Sequence, residues 1–488
     1  MKTPTLVLFL LTAALLLGPC DLMAQESAGS APGREAPDLT QPSIQLGAPF
    51  ADNAVFQQGI PVPVWGVAKP GVKLKVTFDK QTKTAVADAH GKWRITLDPM
   101  PADKLASVHD APVGRRLTVM ADDSGVMLVN TVTNILIGEV WLCSGQSNMA
   151  GRMGNGKTPI ADANFPALRQ MVAPETGPWL VCTPENAPGF KRVCFYFARR
   201  LQSDILVPIG IINAAVGGSN IESWLNQPPS ARGAHYDRFI DPLAGFGLRG
   251  VVWYQGESNE KDGRKYLPKL RSLILGWREA WQQPDSPLTD GPRADFSVYF
   301  VQLPNIGKVV AGNPAGGDGR AEIRNAQLEA LALPHTGMSV AIDIGAEKEH
   351  PPNKLDTGVR LARLALHHDY GKKDLVPCGP LYKGFKIEGG AIRIRFDCAQ
   401  NGLMLASKDG YEPPVPTPNA KMPWLSIQAK DGTWHWADGK IDGPDLIVSC
   451  PDVKEPIAVR YAYTQNPAGC YLYNTDGLPA SPFTTCGF

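Results

Sequence analysis

Hydrophobic and polar positions along the chain fall into three regimes. From about Gln45 to Thr131 they alternate: Val72, Leu74, Val76 and Phe78 point one way, Lys73, Lys75 and Thr77 the other, and Trp93, Ile95 and Leu97 repeat the pattern after a turn at Gly91. A period of two is that of a half-buried strand. With the turn signal Pro70-Gly71, the pattern predicts an antiparallel β-sandwich over residues 44–132.

Continuous apolar runs replace the alternation over residues 133–373. Ile135–Leu142 leads towards Gly145-Gln146-Ser147-Asn148-Met149, and Ile209–Ala215 into Val216-Gly217-Gly218-Ser219-Asn220. Val251–Tyr254 leads into Gln255-Gly256-Glu257-Ser258-Asn259, and Val340–Gly345 towards Glu347-Lys348-Glu349-His350-Pro351. Such runs read as buried parallel strands. Tyr266–Trp281 carries Leu270, Leu273, Ile274 and Trp277 at helical spacing, and a second helix, Asp356–Tyr370, is closed by Gly371. Strands separated by helices specify an α/β fold with a three-layer sheet. Gly312–Gly319 has the composition of a mobile flap near the same sheet edge. After Lys373 the alternation returns with Ile392, Ile394 and Phe396, then Trp424, Ile427, Trp434 and Trp436, predicting an all-β region over 374–488.

Composition narrows the function classes. A length of 488 residues exceeds what one core usually supports, and 43% hydrophobic with 19% charged residues is the balance of a globular protein. A net charge of +1 without a basic cluster argues against nucleic acid or an anionic membrane surface as partner. The apolar stretch Leu6–Leu17 after Lys2 reads as part of a signal peptide over residues 1–24, followed by a disordered leader over 25–43. Pro19 before Cys20 argues against lipoprotein attachment. The expectation is a secreted or periplasmic protein with no membrane insertion after cleavage. Eight cysteines then remain, an even count compatible with disulfides, and Cys182–Cys194 and Cys378–Cys398 are candidate pairs. The cysteines lack zinc-ligand spacing and the histidines are scattered apart from His367-His368, so neither metal nor cofactor is expected. The sequence leaves the oligomeric state open.

Ligands of open α/β sheets bind beyond the carboxyl ends of the strands, so the four strand ends above should share one crevice. Acyl transfer by serine needs a nucleophile, a base, an orienting carboxylate and oxyanion donors. Ser147, in its Gly-flanked turn, fits the first role, and His350, at a strand end before Pro351, is the best base available. Gly145-Gln146-Ser147-Asn148-Met149, Gly217-Gly218-Ser219, Trp253-Tyr254-Gln255-Gly256-Glu257-Ser258 and His350-Pro351 with Asn353-Lys354 together resemble the sialate O-acetylesterase family. That family belongs to the SGNH hydrolases, which include acetyl xylan esterases. The resemblance extends from Pro63-Val64-Trp65-Gly66 to the ending Tyr473-Asn474 and Gly477–Phe483.

The resemblance implies a flavodoxin-like αβα SGNH sheet flanked by the two β regions, with Ser147 as nucleophile and His350 as base. It implies an oxyanion hole from the Ser147 and Gly218 N–H groups and the Gln255 amide. Its aspartate is missing; Glu347, three residues before His350, can replace it, with a Ser-His dyad as the alternative. Glu257 would brace Gln255 or bond a sugar hydroxyl. Arg152 and Asn220 are candidates for substrate contact or solvated loop residues, Trp224 and Trp253 read as core, and Arg324 and Gln327 as structural. The implied activity is removal of acetyl groups from a sialic acid or xylan-type carbohydrate. The alternatives are a glycan-binding protein on an impaired esterase scaffold and a general short-chain carboxylesterase.

Overall fold

The computed structural model describes residues 43–155, 163–175, 177–226, 232–286, 291–309, 312–469 and 472–486. The expected signal peptide, nearly all of the leader, Cys20 and Cys470 lie outside the described residues. In the first region the alternation does what its period requires: Lys73–Phe78 and Lys92–Leu97 bury every second side chain. Val62–Val67 lies between Gln45–Leu46 and Lys92–Leu97 in one antiparallel sheet. Lys73–Phe78 pairs with Gln81–Val86 and Arg115–Asp123 in another.

The next strand, Val126–Gly145, is 20 residues long and changes character along its length. Its first part pairs antiparallel with Arg115–Asp123, whereas from Ile135 to Gly145 every residue is buried. That apolar part pairs in parallel with Ile209–Ala215 on one side and Gly250–Tyr254 on the other. A strand covered on both faces has no use for alternation, which is why the sequence becomes continuously apolar here. The compositional change near residue 132 therefore falls inside one strand.

Across the central sheet the order is Phe165–Val172, Ile209–Ala215, Val126–Gly145, Gly250–Tyr254, Ser297–Gln302 and Thr336–Val340, all parallel, with Leu180–Cys182 antiparallel at one edge. The chain leaves the central strand first to one side and later to the other, so the carboxyl end of that strand is a topological switch point. The helices are α1 (Ser147–Ala150), α2 (Arg192–Ile205), α3 (Tyr266–Trp281), α4 (Gly319–Ala330) and α5 (Lys354–Asp369). Helix α2 packs along α5, and α3 along α4, giving a mixed α/β fold. Helix α5 starts two residues before Asp356 because Asn353 caps it, its Oδ1 accepting from the Asp356 N–H at 3.0 Å.

The C-terminal region forms small antiparallel sheets. One joins Leu381–Glu388, Ala391–Asp397, Asp445–Ser449 and Asp438–Asp442; another joins Trp434–Trp436, Leu425–Ala429, Pro456–Tyr461 and Phe483–Thr484. Arg324 of α4, fully buried, donates to the carbonyls of Leu303 (2.8 Å) and Pro304 (2.7 Å), and to those of Thr464 (2.6 Å) and Gln465 (2.9 Å). Gln327 braces the neighbouring strand end through the Leu303 N–H (3.0 Å) and the Val301 carbonyl (3.1 Å).

Two expectations change here. Part of the Gly-rich loop is held down: the Gly317 N–H donates to the Tyr463 carbonyl at 2.9 Å, and Asp318 caps α4. Cys182 and Cys194 are not partners, since Cys182 Sγ faces the Ala163 carbonyl (3.6 Å) and Cys194 Sγ lies against Met149 Sδ (3.5 Å) and Asn213 Nδ2 (3.4 Å). Cys378 and Cys398 do meet, as free thiols.

Candidate active site

The central strand ends at Gly145 with φ +135°, where a Cβ would stand 2.1 Å from the Tyr254 carbonyl oxygen. Glycine alone lets the two strand ends approach this closely. The chain then turns at Gln146 into α1, whose first residue is Ser147. Ser147 Oγ lies 2.9 Å from His350 Nε2. Ser147 is half-buried and His350 exposed, so the pair opens to solvent at the switch point. At that distance the hydroxyl can pass its proton to the imidazole as it attacks, which is the geometry of an activated nucleophile.

Opposite Ser147 lies the turn after Ile209–Ala215. A Cβ on Gly217 would meet Ser147 Cβ at 3.8 Å, and Gly218, at φ +72°, faces open space. The backbone N–H groups of Ser147 and Gly218 have no acceptor among the described residues. Two unpaired donors beside a serine hydroxyl can receive an oxyanion.

Gln255 differs from its expected place in that set. It is fully buried, and its Nε2 donates to the Ser219 carbonyl (3.2 Å) and Asn259 Oδ1 (2.8 Å), while Oε1 accepts from Tyr266 Oη (2.8 Å). A carbonyl can face only the nitrogen of the amide, so this orientation is fixed and both N–H groups are committed. Gln255 thus holds the turn that carries Gly218 and offers no free donor of its own.

Glu347 is likewise not brought to the histidine. Residues Glu347 to His350 are all exposed, and among the described residues no carboxylate bonds the His350 ring. The Glu347 carbonyl accepts from the Gly307 N–H (3.2 Å), and Ala346 forms a bridge with Ile306, so backbone pairing fixes this segment. Asp343 is committed elsewhere, to both ends of the Arg360 guanidinium at 2.7 Å.

A buried network occupies the space behind the pair. Asn148 Nδ2 donates to Glu257 Oε1 (2.6 Å) and to the Glu349 carbonyl (3.1 Å), and its Oδ1 accepts from Lys354 Nζ. One side chain so joins the Ser147 turn, the end of Gly250–Tyr254, the residue before His350 and the first turn of α5. Burial pushes the Glu257 carboxyl above its ordinary range and the Lys354 ammonium down to about 7. Lys354 Nζ also lies 5.6 Å from the centre of the Tyr254 ring. From sequence, Asn148 and Lys354 stand only as members of motifs, and neither has a role. The helix expected from Asp356 starts at Lys354, which puts a cation in its first turn, where the macrodipole disfavours it.

The remaining candidates separate clearly. Asn220 Oδ1 accepts from Ser223 N (3.2 Å) and Ser223 Oγ (2.6 Å), which makes it a helix cap. Trp224 and Trp253 are core. Arg152 is exposed and pairs through its backbone with Lys191, beside Arg192, whose N–H donates to the Gly151 carbonyl (2.8 Å). Arg192 is half-buried, and its Nε has no hydrogen-bond partner among the described residues. A further residue arrives from the C-terminal region: Tyr411 Oη donates to the Pro352 carbonyl (3.0 Å), leaving its ring 48% exposed beside the histidine segment. Among the described residues no metal-ligand cluster converges on Ser147.

Comparison with known proteins bears on this geometry. The family described as carbohydrate esterase, sialic acid-specific acetylesterase matches residues 137–363. The sialate O-acetylesterase of Mus musculus is 27% identical, covering 89% of this chain and 93% of that protein. The sialate O-acetylesterase of Homo sapiens is 26% identical, covering 86% and 88%. The crystal structure of a carbohydrate acetylesterase from Xanthomonas citri superposes with a TM-score of 0.78 at 32% identity, over 91% of this chain and all of that one.

Proposed function

This chain belongs to the sialate O-acetylesterase family of carbohydrate esterases, and from that premise we propose that it removes O-acetyl groups from sugars by a serine acyl-enzyme mechanism on an SGNH-type three-layer sheet. The observation that carries the reading is the 2.9 Å contact between Ser147 Oγ and His350 Nε2. Ser147 attacks the acetyl carbonyl while His350 takes its proton. The tetrahedral oxyanion is received by the N–H groups of Ser147 and Gly218, each such donor being worth about 3–4 kcal/mol in the transition state. As the intermediate collapses, His350 returns the proton to the departing sugar oxygen. Water, deprotonated by His350, then attacks the acetyl-enzyme, and acetate leaves as Ser147 recovers its proton.

The pair works as a dyad in this reading. The Asn148 network places His350 through the backbone of Glu349, a task that a triad carboxylate performs through the ring. The substrate is an O-acetylated sialic acid in preference to a neutral xylan. What supports this is exposed Arg152 with half-buried Arg192 next to it through the backbone, guanidinium groups of the kind that bind a sugar carboxylate. The apolar amino-terminal run supports export, so the substrate is met outside the cytoplasm.

Acetate release from an O-acetylated sialoglycan and from acetylated xylan, by the purified protein and by Ser147→Ala, tests the proposal. The expected result is faster release from the sialoglycan and loss of release in the variant. Retained release in Ser147→Ala would overturn the serine mechanism, and preference for xylan would overturn the substrate assignment.

A further inference from the structure

Far along the chain from Ser147, the C-terminal region gathers a second set of reactive side chains. A ring nitrogen of His435, Cys450 Sγ and a carboxylate oxygen of Asp452 all lie within 4.8 Å of one another. His435 sits on Trp434–Trp436, the edge strand of its sheet, and Cys450 follows the last residue of Asp445–Ser449, a strand of the neighbouring sheet. Cys450 and Asp452 are two residues apart, and folding brings His435 to them, which is why no zinc-ligand spacing appears in the sequence. We propose that His435, Cys450 and Asp452 bind a divalent transition metal ion of the zinc type, clipping the edge strand of one sheet to the other.

Donor chemistry and second contacts both fit. Imidazole, thiolate and carboxylate are the ligand types zinc takes, with bonds of about 2.0–2.3 Å, so a tetrahedral ion needs its ligand atoms roughly 3.5 Å apart. The cluster, within 4.8 Å, would have to close by up to about 1.3 Å to reach that spacing. The tautomer of His435 is already set. Thr433 Oγ1 gives its proton to Asp431 Oδ1 (2.6 Å) and so must accept from His435 Nε2 (3.1 Å). Nε2 therefore carries the hydrogen, and Nδ1 keeps its lone pair for a ligand. A histidine whose second nitrogen is held through a hydroxyl and a carboxylate is the outer arrangement of protein metal sites. The Cys450 thiol, buried, loses its proton to solvent on binding, and the half-open position at exposed Asp452 leaves room for a water as fourth ligand. Trp434–Trp436 has three residues and one strand neighbour, so a cross-link there adds restraint where the sheet has least.

The experiment titrates Zn²⁺ into the metal-free full-length protein against a chromophoric chelator, in parallel with Cys450→Ser, His435→Ala and Thr433→Val. Esterase activity serves as the check that each variant is folded. The expected result is one bound equivalent, lost in Cys450→Ser and His435→Ala and weakened roughly 10–100-fold in Thr433→Val. In the unaltered protein, Zn²⁺ should also slow alkylation of Cys450, read by peptide mass spectrometry, which keeps the test independent of any variant that misfolds. Absence of binding, equal binding by Cys450→Ser, or alkylation indifferent to Zn²⁺ would each overturn the proposal.

Discussion

A lysine buried in the first turn of a helix and a glutamate buried behind a strand end are each unfavourable alone, and Asn148 is the group that hydrogen-bonds both. Its amide can do so because it offers an acceptor to Lys354 and a donor to Glu257 at once. Asn148→Ala removes both, and with them the bond to the Glu349 carbonyl that precedes His350. Since displacement of a catalytic group by about 1 Å can cost on the order of 10²-fold, kcat is expected to fall roughly 10–100-fold while KM changes little. Steady-state kinetics on a small acetate ester would check this, and an unchanged kcat would remove the network from the reaction. Lys354 adds a pH signature. Its folded pKa, about 7, lies below the ordinary 10.5, so the unfolded chain binds the extra proton between those values. Stability should then rise with pH across that window, and the cost of the buried charge should be fully present below 7. Denaturant unfolding at pH 6.5 and pH 9 should show a rise of about 2–3 kcal/mol that Lys354→Met lacks. Parallel behaviour of the two proteins would show that the ammonium is not the source.

At the scale of elements, the strand Val126–Gly145 bears the most. Within its buried half stands Glu139, fully buried, held by Arg249 at 3.0 Å and by the amides of Gln57 (3.0 Å) and Gln58 (2.6 Å). Glu139→Ala would remove the carboxylate that pairs with Arg249 inside the protein, a loss of about 3–5 kcal/mol. Asp123→Ala, which breaks the solvent-facing pair with Lys69, should cost under about 1 kcal/mol. Equal effects in a thermal-unfolding comparison would mean that Glu139 is not supporting the strand. This element also marks how far sequence reasoning reaches. Its apolar run, and those of Ile209–Ala215 and Gly250–Tyr254, were legible because a strand covered on both faces must be apolar. That Ser147, His350 and the Gly217-Gly218 turn lie together was legible because strand ends share one edge of the sheet. The commitment of Gln255 to Ser219, Asn259 and Tyr266 was not, since it depends on which partners meet the amide in space. Nor was the isolation of Glu347 from His350, because a spacing of three residues says nothing about backbone pairing with Gly307 and Ile306.

At the scale of the whole molecule, the C-terminal region is fastened to the sheet by groups that cannot be left unpaired. Arg324 satisfies carbonyls on both sides of that junction, and Gln302 Nε2 donates to Ser481 Oγ at 2.8 Å in the same interior. A chain ending at residue 373 would expose Arg324 without two of its acceptors and uncover the side of α4 that Phe483–Thr484 packs against. Such a truncation should be recovered insoluble or inactive, whereas a C-terminal region serving only as an appended binding module would leave the esterase intact. The same interlocking carries Tyr411 to the edge of the reaction site, where its hydroxyl is tied to the Pro352 carbonyl and its ring faces solvent. A ring fixed at one end and open on its face can stack against a sugar, and an aromatic contact of this kind is worth about 0.5–1.5 kcal/mol. Tyr411→Ala should therefore raise KM for an acetylated glycan roughly 2–10-fold and leave hydrolysis of p-nitrophenyl acetate, which has no sugar to stack, nearly unchanged. If both substrates lose activity together, Tyr411 acts by holding the His350 segment; if neither does, the substrate does not reach the C-terminal region.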